Sequence, residues 1–252
     1  MSSATYTGIS ILKLIIAVQM MVSSVSRAET QILIEAGAVW QHRNDVQIPP
    51  DDGGTRVEFD RFNQGPFLHY RAEASYFWSE SSGLRLLFAP FSVSVEGTPQ
   101  SAISFDGETF AADVDTTVDY TFNSYRASYI YRFLGSKDDQ FNLGFTVKIR
   151  QAEITFSQGS LSESYDNIGF VPLIYLEWQK ALTSSLLLNF QSDALAGGPG
   201  RAIDVSLKLR YKLSKSTLVG LGYRTLEGGA DNDEVFTFSW FNYSVADLVY
   251  KF

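Results

Sequence analysis

The chain of 252 residues has no cysteine, which excludes a disulfide framework, a zinc–thiolate or iron–sulfur site and a catalytic thiol. Histidine is nearly absent too, with His42 and His69 alone to serve any imidazole chemistry. Positive charge is short: 20 Lys and Arg stand against 28 Asp and Glu, and a net charge of −8 argues against nucleic acid as a partner. Beyond the first 28 residues, apolar runs such as Leu186–Leu188 are broken within a few positions, so nothing there can cross a bilayer as a helix of about 20 apolar residues. There is no phosphate loop, no dinucleotide glycine fingerprint and no zinc spacing, and so no cofactor is expected. Apolar residues, at 45%, are sufficient for one large domain or two small ones, and 14% aromatics with 19% charged residues exclude a disordered tail or a coiled coil.

Residues 1–28 carry no acidic residue. Their charges are Lys13 and Arg27; an apolar run, Leu14 to Val22, follows Lys13, and Ser26 and Ala28 supply small residues before Glu29. This is the pattern of a cleaved secretory signal peptide, and the run is too short for a membrane anchor. Removing 28 of 252 residues, two of them basic, leaves 224 residues and shifts the charge from −8 to −10. Residues 29–252 are then expected to form one domain.

Along that domain the hydropathy period is two. Residues 201–213 place Ile203, Val205, Leu207, Leu209, Tyr211 and Leu213 on one parity, with Asp204, Ser206, Lys208, Arg210 and Lys212 on the other. Phe141–Arg150, Leu68–Trp78 and Ser124–Phe133 alternate the same way, as strands with one apolar and one polar face do. Short polar links at Ser79–Gly83, Gly135–Asp139, Leu182–Ser185 and Ser214–Ser216 alternate with longer ones at Asn44–Thr55, around Asp106–Gly107, at Gln158–Gly169, at Gly197–Gly200 and at Glu227–Glu234. Nine links imply about ten strands, hence an all-β antiparallel up-and-down barrel. About 22 residues per strand and link suit strands of about 9–11 residues crossing a bilayer.

The sequence closes on Ala246–Phe252, with Leu248, Tyr250 and Phe252 on one parity. This ending resembles the C-terminal signal of bacterial outer-membrane β-barrels, and Gly222–Val235 is similar to a segment of uncharacterised Gram-negative outer-membrane proteins. The resemblance implies a transmembrane, porin-like barrel in the cell outer membrane. Its partners would be outer-membrane lipids, lipopolysaccharide and the barrel assembly machinery. A soluble lipocalin-like barrel is the other architecture with this period.

With polar parities turned inward, the lumen carries a charge network: His69, Arg71, Glu73, Arg126, Lys148, Glu177, Asp204, Lys208 and Arg210. Cations paired with carboxylates such as Glu73, Glu177 and Asp204 would plug so narrow a barrel, and unpaired positive charge would favour a small anion-preferring passage. The stretch Val93–Tyr120 reads as one hairpin extended beyond the membrane. Its acids, from Glu96 to Asp119, are candidate ligands for divalent cations bridging to lipopolysaccharide phosphates. A surface enzyme is the competing function. The His-x-Ser pair of barrel lipases is missing at both histidines. A His–acid site of the omptin kind would need His42 with Asp45, Asp51 or Asp52, yet His42 falls on the lipid-facing parity.

Overall fold

The computed structural model describes residues 28–136, 138–197 and 200–252; the expected leader, Ala28 apart, lies outside the described residues. In chain order the elements are β1 (Glu29–Gln47), β2 (Val57–Glu58), the 3-10 turn η1 (Phe59–Arg61), β3 (Phe67–Phe77), β4 (Ser82–Ala89), β5 (Ser92–Gly97), β6 (Ile103–Phe105) and β7 (Glu108–Phe110). They continue as β8 (Thr116–Gly135), β9 (Gln140–Gln158), β10 (Leu161–Ala181), β11 (Leu186–Gly197), β12 (Gly200–Lys212), β13 (Thr217–Asp231) and β14 (Phe236–Lys251). Sequential strands pair antiparallel, and β14 returns onto β1 from Gln31↔Lys251 to Gln47↔Phe236, which closes the wall. Since β4 and β5 both pair with β8 and are separated by Pro90, they are one wall strand broken in two. The result is a closed up-and-down barrel of ten wall strands. Closure removes most of the exposed sheet edge that would otherwise invite aggregation.

The polarity of the wall reverses along the strands. On β9, Phe145, Val147 and Ile149 point outward while Thr146 and Lys148 point inward; further along, Glu153 points outward while Ile154 and Phe156 are buried inside. β8 reverses at the same level, from Tyr125 and Tyr129 outside to Asp119 outside, and the register Tyr125↔Ile149↔Phe170 lines up the boundary across three strands. One end of the barrel therefore has an apolar outer belt and a polar lumen. The other end has a polar outside and an apolar inside. Leu68, Phe170 and Leu221 in the belt are 75%, 73% and 70% exposed, an arrangement stable in hydrocarbon and costly in water. On β10 the belt runs from Ile168 to Trp178, eleven residues, the length a tilted strand needs to cross.

Two sequence expectations change. Gln158–Gly169 is not a long loop: β9 and β10 run on outside the belt, paired up to Leu161↔Gln158, and turn at Gly159–Ser160. Likewise β11 and β12 stay paired up to Gly197↔Gly200. Nor is Val93–Tyr120 one extended hairpin. β5 pairs with β8, whereas β6 and β7 form a separate hairpin turned by Asp106 and Gly107, whose φ values of 46° and 91° suit a type I′ turn. That hairpin folds over the barrel mouth because Ile103, Phe105 and Phe110 need burial, and they find it against Phe156, Val118 and Tyr120.

Candidate functional site

The belt-level lumen is filled by an ion-pair lattice. Seven buried cations (Arg71, Arg85, Arg126, Lys148, Lys208, Arg210 and Arg224) face five buried carboxylates, Glu35, Glu73, Asp193, Asp204 and Asp247. Arg85 bridges Glu73 at 2.8 Å and Asp193 at 3.0 Å, and Arg126 bridges Asp193 and Asp204, both at 2.8 Å. Asp204 also takes Arg71 at 3.3 Å and Arg224. Lys208 sits between Glu35 at 2.7 Å and Asp247 at 3.0 Å, and Arg210 donates to Asp247 from two nitrogens. Gly220 makes this last pair possible: a Cβ there would lie 2.3 Å from Asp247 Oδ1 and 2.8 Å from Arg210 Cγ. With most charges held by partners from other strands, the lattice ties opposite sides of the wall together. Breaking one side of such a buried pair is expensive.

Of the residues expected inside, His69, Arg71, Glu73, Arg126, Asp204, Lys208 and Arg210 meet in this lattice. His69 Nε2 lies 3.3 Å from Glu35 Oε1, and its ring packs against Tyr243 at 4.7 Å. Two expectations need correction. Glu177 forms no ion pair among the described residues; it accepts hydrogen bonds from Asn142 at 2.9 Å, Asn189 at 3.0 Å and Tyr175 at 3.0 Å. Three neutral donors supply what a guanidinium was expected to supply. Lys148 does lie inside but also has no carboxylate partner or hydrogen bond among the described residues, and its ammonium sits 4.8 Å over the Phe122 ring.

Above the lattice the lumen is apolar. Val39, Phe91, Val93, Val95, Tyr120, Phe156, Phe241, Tyr243 and Val245 from the wall pack with Ile48, Val57, Phe59, Phe105 and Phe110 from the covering segments. Parity alone missed this second layer, because it assumes one polarity for the whole lumen. The signal was present in Val118, Tyr120, Ile154 and Phe156, which continue the inward parity of Arg126 and Lys148 with apolar side chains.

Between the layers, on the β9–β13 side, lies a cavity of about 450 Å³. Lys148, Arg126 and Arg150 line it together with Leu173, Leu195 and Leu226. At the outer rim, His42 points away from the barrel and meets Trp240 edge-on at 4.7 Å. Asp45 is held by Arg43 at 2.7 Å and Arg56 at 3.0 Å, while Asp51 and Asp52 are exposed. Among the described residues, no group of three or more His, Asp or Glu is placed to hold a metal ion. The acids of the Glu96–Asp119 stretch are dispersed, Asp115 accepting from Thr98 at 2.7 Å. Outside the belt at the other end, Lys180 Nζ and the Ala181 amide donate to Asp139 and hold its carboxyl below the usual carboxylate range.

No protein-family model matches this chain, and no curated protein matches it in sequence. In structure it is similar to the outer-membrane protease OmpT of Escherichia coli, with a TM-score of 0.56 and 10% identity over 89% of this chain and 97% of that one. It is also similar to the attachment invasion locus protein Ail of Yersinia pestis (TM-score 0.42, 13% identity, 88% of this chain and 99% of that one). The translocator domain of the autotransporter NalP of Neisseria meningitidis matches with a TM-score of 0.44 and 11% identity, over 99% of this chain and 98% of that one. The chain thus has the fold of bacterial outer-membrane β-barrels.

Proposed function

We propose that the protein is a closed, non-enzymatic outer-membrane barrel that works through its wall and its outer surface and does not conduct solutes. The observation that carries this reading is the double filling of the lumen, with cross-strand ion pairs at belt level and an aromatic core above them. The apolar belt supports the outer-membrane location, together with the export expected from residues 1–28. An anion path would need unpaired positive charge along a continuous bore, and most of the lumen cations are held by carboxylates. An enzyme of the His–acid kind is not favoured, since His69 belongs to the lattice and His42 packs on Trp240 outside the wall.

Planar bilayers containing the mature protein should therefore stay electrically silent. Discrete current steps from the wild-type chain would refute the closed-barrel reading. Sidedness has its own test. Tags at Gly107, in the covering hairpin, and at Ser136, in a short turn at the opposite end, should be reached by antibody on intact cells at Gly107 alone. Labelling at Ser136 but not at Gly107 would invert the topology.

A further inference from the structure

The barrel wall is unzipped on one side. β10 pairs with β9 at nineteen positions, from Leu161↔Gln158 to Gln179↔Gln140. Its pairing with β11 covers eight, from Ala181↔Leu187 to Ile174↔Ala194, and then stops. The cause is a hairpin shorter than the strand before it: β11 and β12 turn between Gly197 and Gly200, level with the end of β13 at Ala230, whereas β10 continues past that level to Leu161. Since the apolar belt on β10 reaches Ile168, the unpaired stretch Ile168–Leu173 lies within the membrane-spanning part of the wall. Backbone groups without partners are excluded from hydrocarbon unless they border a cavity. The sequence fits such an edge: Pro172 is, among the described residues, the one proline inside a strand, and proline brings no N–H that would need a partner.

This seam is the side entrance of the 450 Å³ cavity. Phe170, Val171, Pro172 and Leu173 line it from β10, and Leu195 and Gly197 line it from β11. At its inner end stands Lys148, 4% exposed, with no carboxylate or hydrogen-bond partner among the described residues. Beside it on the same face of β9, Arg150 donates from Nη2 to Asn167 and keeps a buried Nε that has no acceptor. The carboxylates on the cavity wall are otherwise engaged: Asp193 and Asp204 hold arginines of the lattice, and Glu227 holds Arg201. Only Glu153 on that wall lacks an ion pair among the described residues, and its side chain points to the outside.

We infer that the seam and cavity bind a single-chain anionic amphiphile of the fatty-acid class. The chain lies along Leu173, Leu195 and Leu226, the carboxylate meets Lys148 and Arg150, and entry is lateral, from the membrane. The chemistry follows from the residues. An apolar slot open to the lipid belt selects a hydrocarbon tail, and a buried ammonium without a counterion selects one negative headgroup. A volume of about 450 Å³ falls within the ~300–1,000 Å³ of small-molecule sites. It is too small for a lipid with several acyl chains. This inference rests on the membrane-embedded reading above and adds to it a ligand class.

The test uses the mature protein in phosphatidylcholine nanodiscs, titrated with the fluorescent probe 11-(dansylamino)undecanoic acid, with hexadecanoate and hexadecanol as competitors. The wild type should bind the probe saturably at one site, and hexadecanoate should displace it better than hexadecanol. Lys148→Met should weaken probe binding by about tenfold or more, the worth of one charge-assisted hydrogen bond, while Lys148→Arg retains it. Leu195→Trp, which fills the seam, should abolish binding without touching the charged end. Failure of the wild type to insert into nanodiscs would overturn the membrane reading and this inference with it. Insertion without saturable binding, or equal binding by wild type and Lys148→Met, would overturn this inference alone.

Discussion

Replacing Asp204 by Asn should destabilise the barrel by about 3–5 kcal/mol, the usual cost of stranding buried charge when one member of a pair is removed. Asp204 is the lattice carboxylate shared by three guanidinium groups, those of Arg71, Arg126 and Arg224 from three different strands. The amide keeps the shape and one acceptor oxygen, but it leaves three guanidinium groups close together without their shared counterion. Glu177→Gln is the internal control. Its partners Asn142, Asn189 and Tyr175 are neutral, so loss of the charge should cost about 1 kcal/mol, the scale of one ordinary hydrogen bond. Urea unfolding of both variants in detergent micelles, followed by tryptophan fluorescence, gives the comparison directly. Equal losses for the two, or a loss under about 1 kcal/mol for Asp204→Asn, would mean that water screens the lumen and the lattice is not what holds it closed.

How much of this was legible from residues alone depends on which physical rule was at work. The ten wall strands follow from period-two patterning and turn residues, since both are local properties of Ile203–Leu213 or of Ser214–Ser216. The inward position of Arg126, Lys208 and Arg210 is legible for the same reason: parity along a strand is a local fact. Pairing is not local. Glu177 lies on the right face, yet its partners are set by neighbouring strands: Asn142 comes level with it on β9, and Asn189 reaches it from two residues along β11 from the position opposite. Lys148 illustrates the converse case, a cation on the expected face whose level in the barrel coincides with a gap in the wall. The reversal of polarity at Tyr125 and Ile149 was written in the sequence, but reading it requires knowing where the membrane ends. The unzipped seam had one local mark, Pro172, whose meaning depends on how short the β11–β12 hairpin is compared with β10.

The second large effect belongs to the upper layer. Phe156 is fully buried on β9, with ring centroids 4.6 Å from Phe105, 5.6 Å from Phe110 and 5.9 Å from Phe59. It is the wall residue onto which the β6–β7 hairpin and the η1 turn both close. Phe156→Ala should cost about 3–5 kcal/mol of packing, as truncation of a buried phenylalanine does. The loss should appear as local opening of the cover, because β9 stays paired with β8 and β10 on either side. A glutamate-specific protease reports it, since Glu108 is exposed within the covering hairpin and no Lys or Arg lies between Val93 and Tyr120. Cleavage of the reconstituted variant should be faster by about two to four orders of magnitude, the population change that such an energy implies when opening is rapid. Unchanged cleavage would show that the hairpin is anchored elsewhere. Opening the cover alone leaves the ion-pair lattice in place, so Phe156→Ala should remain silent in planar bilayers, as should Asp204→Asn with its cover intact. Current steps are expected from the double variant, in which both layers are weakened. Steps from either single variant would reduce the closure to one layer.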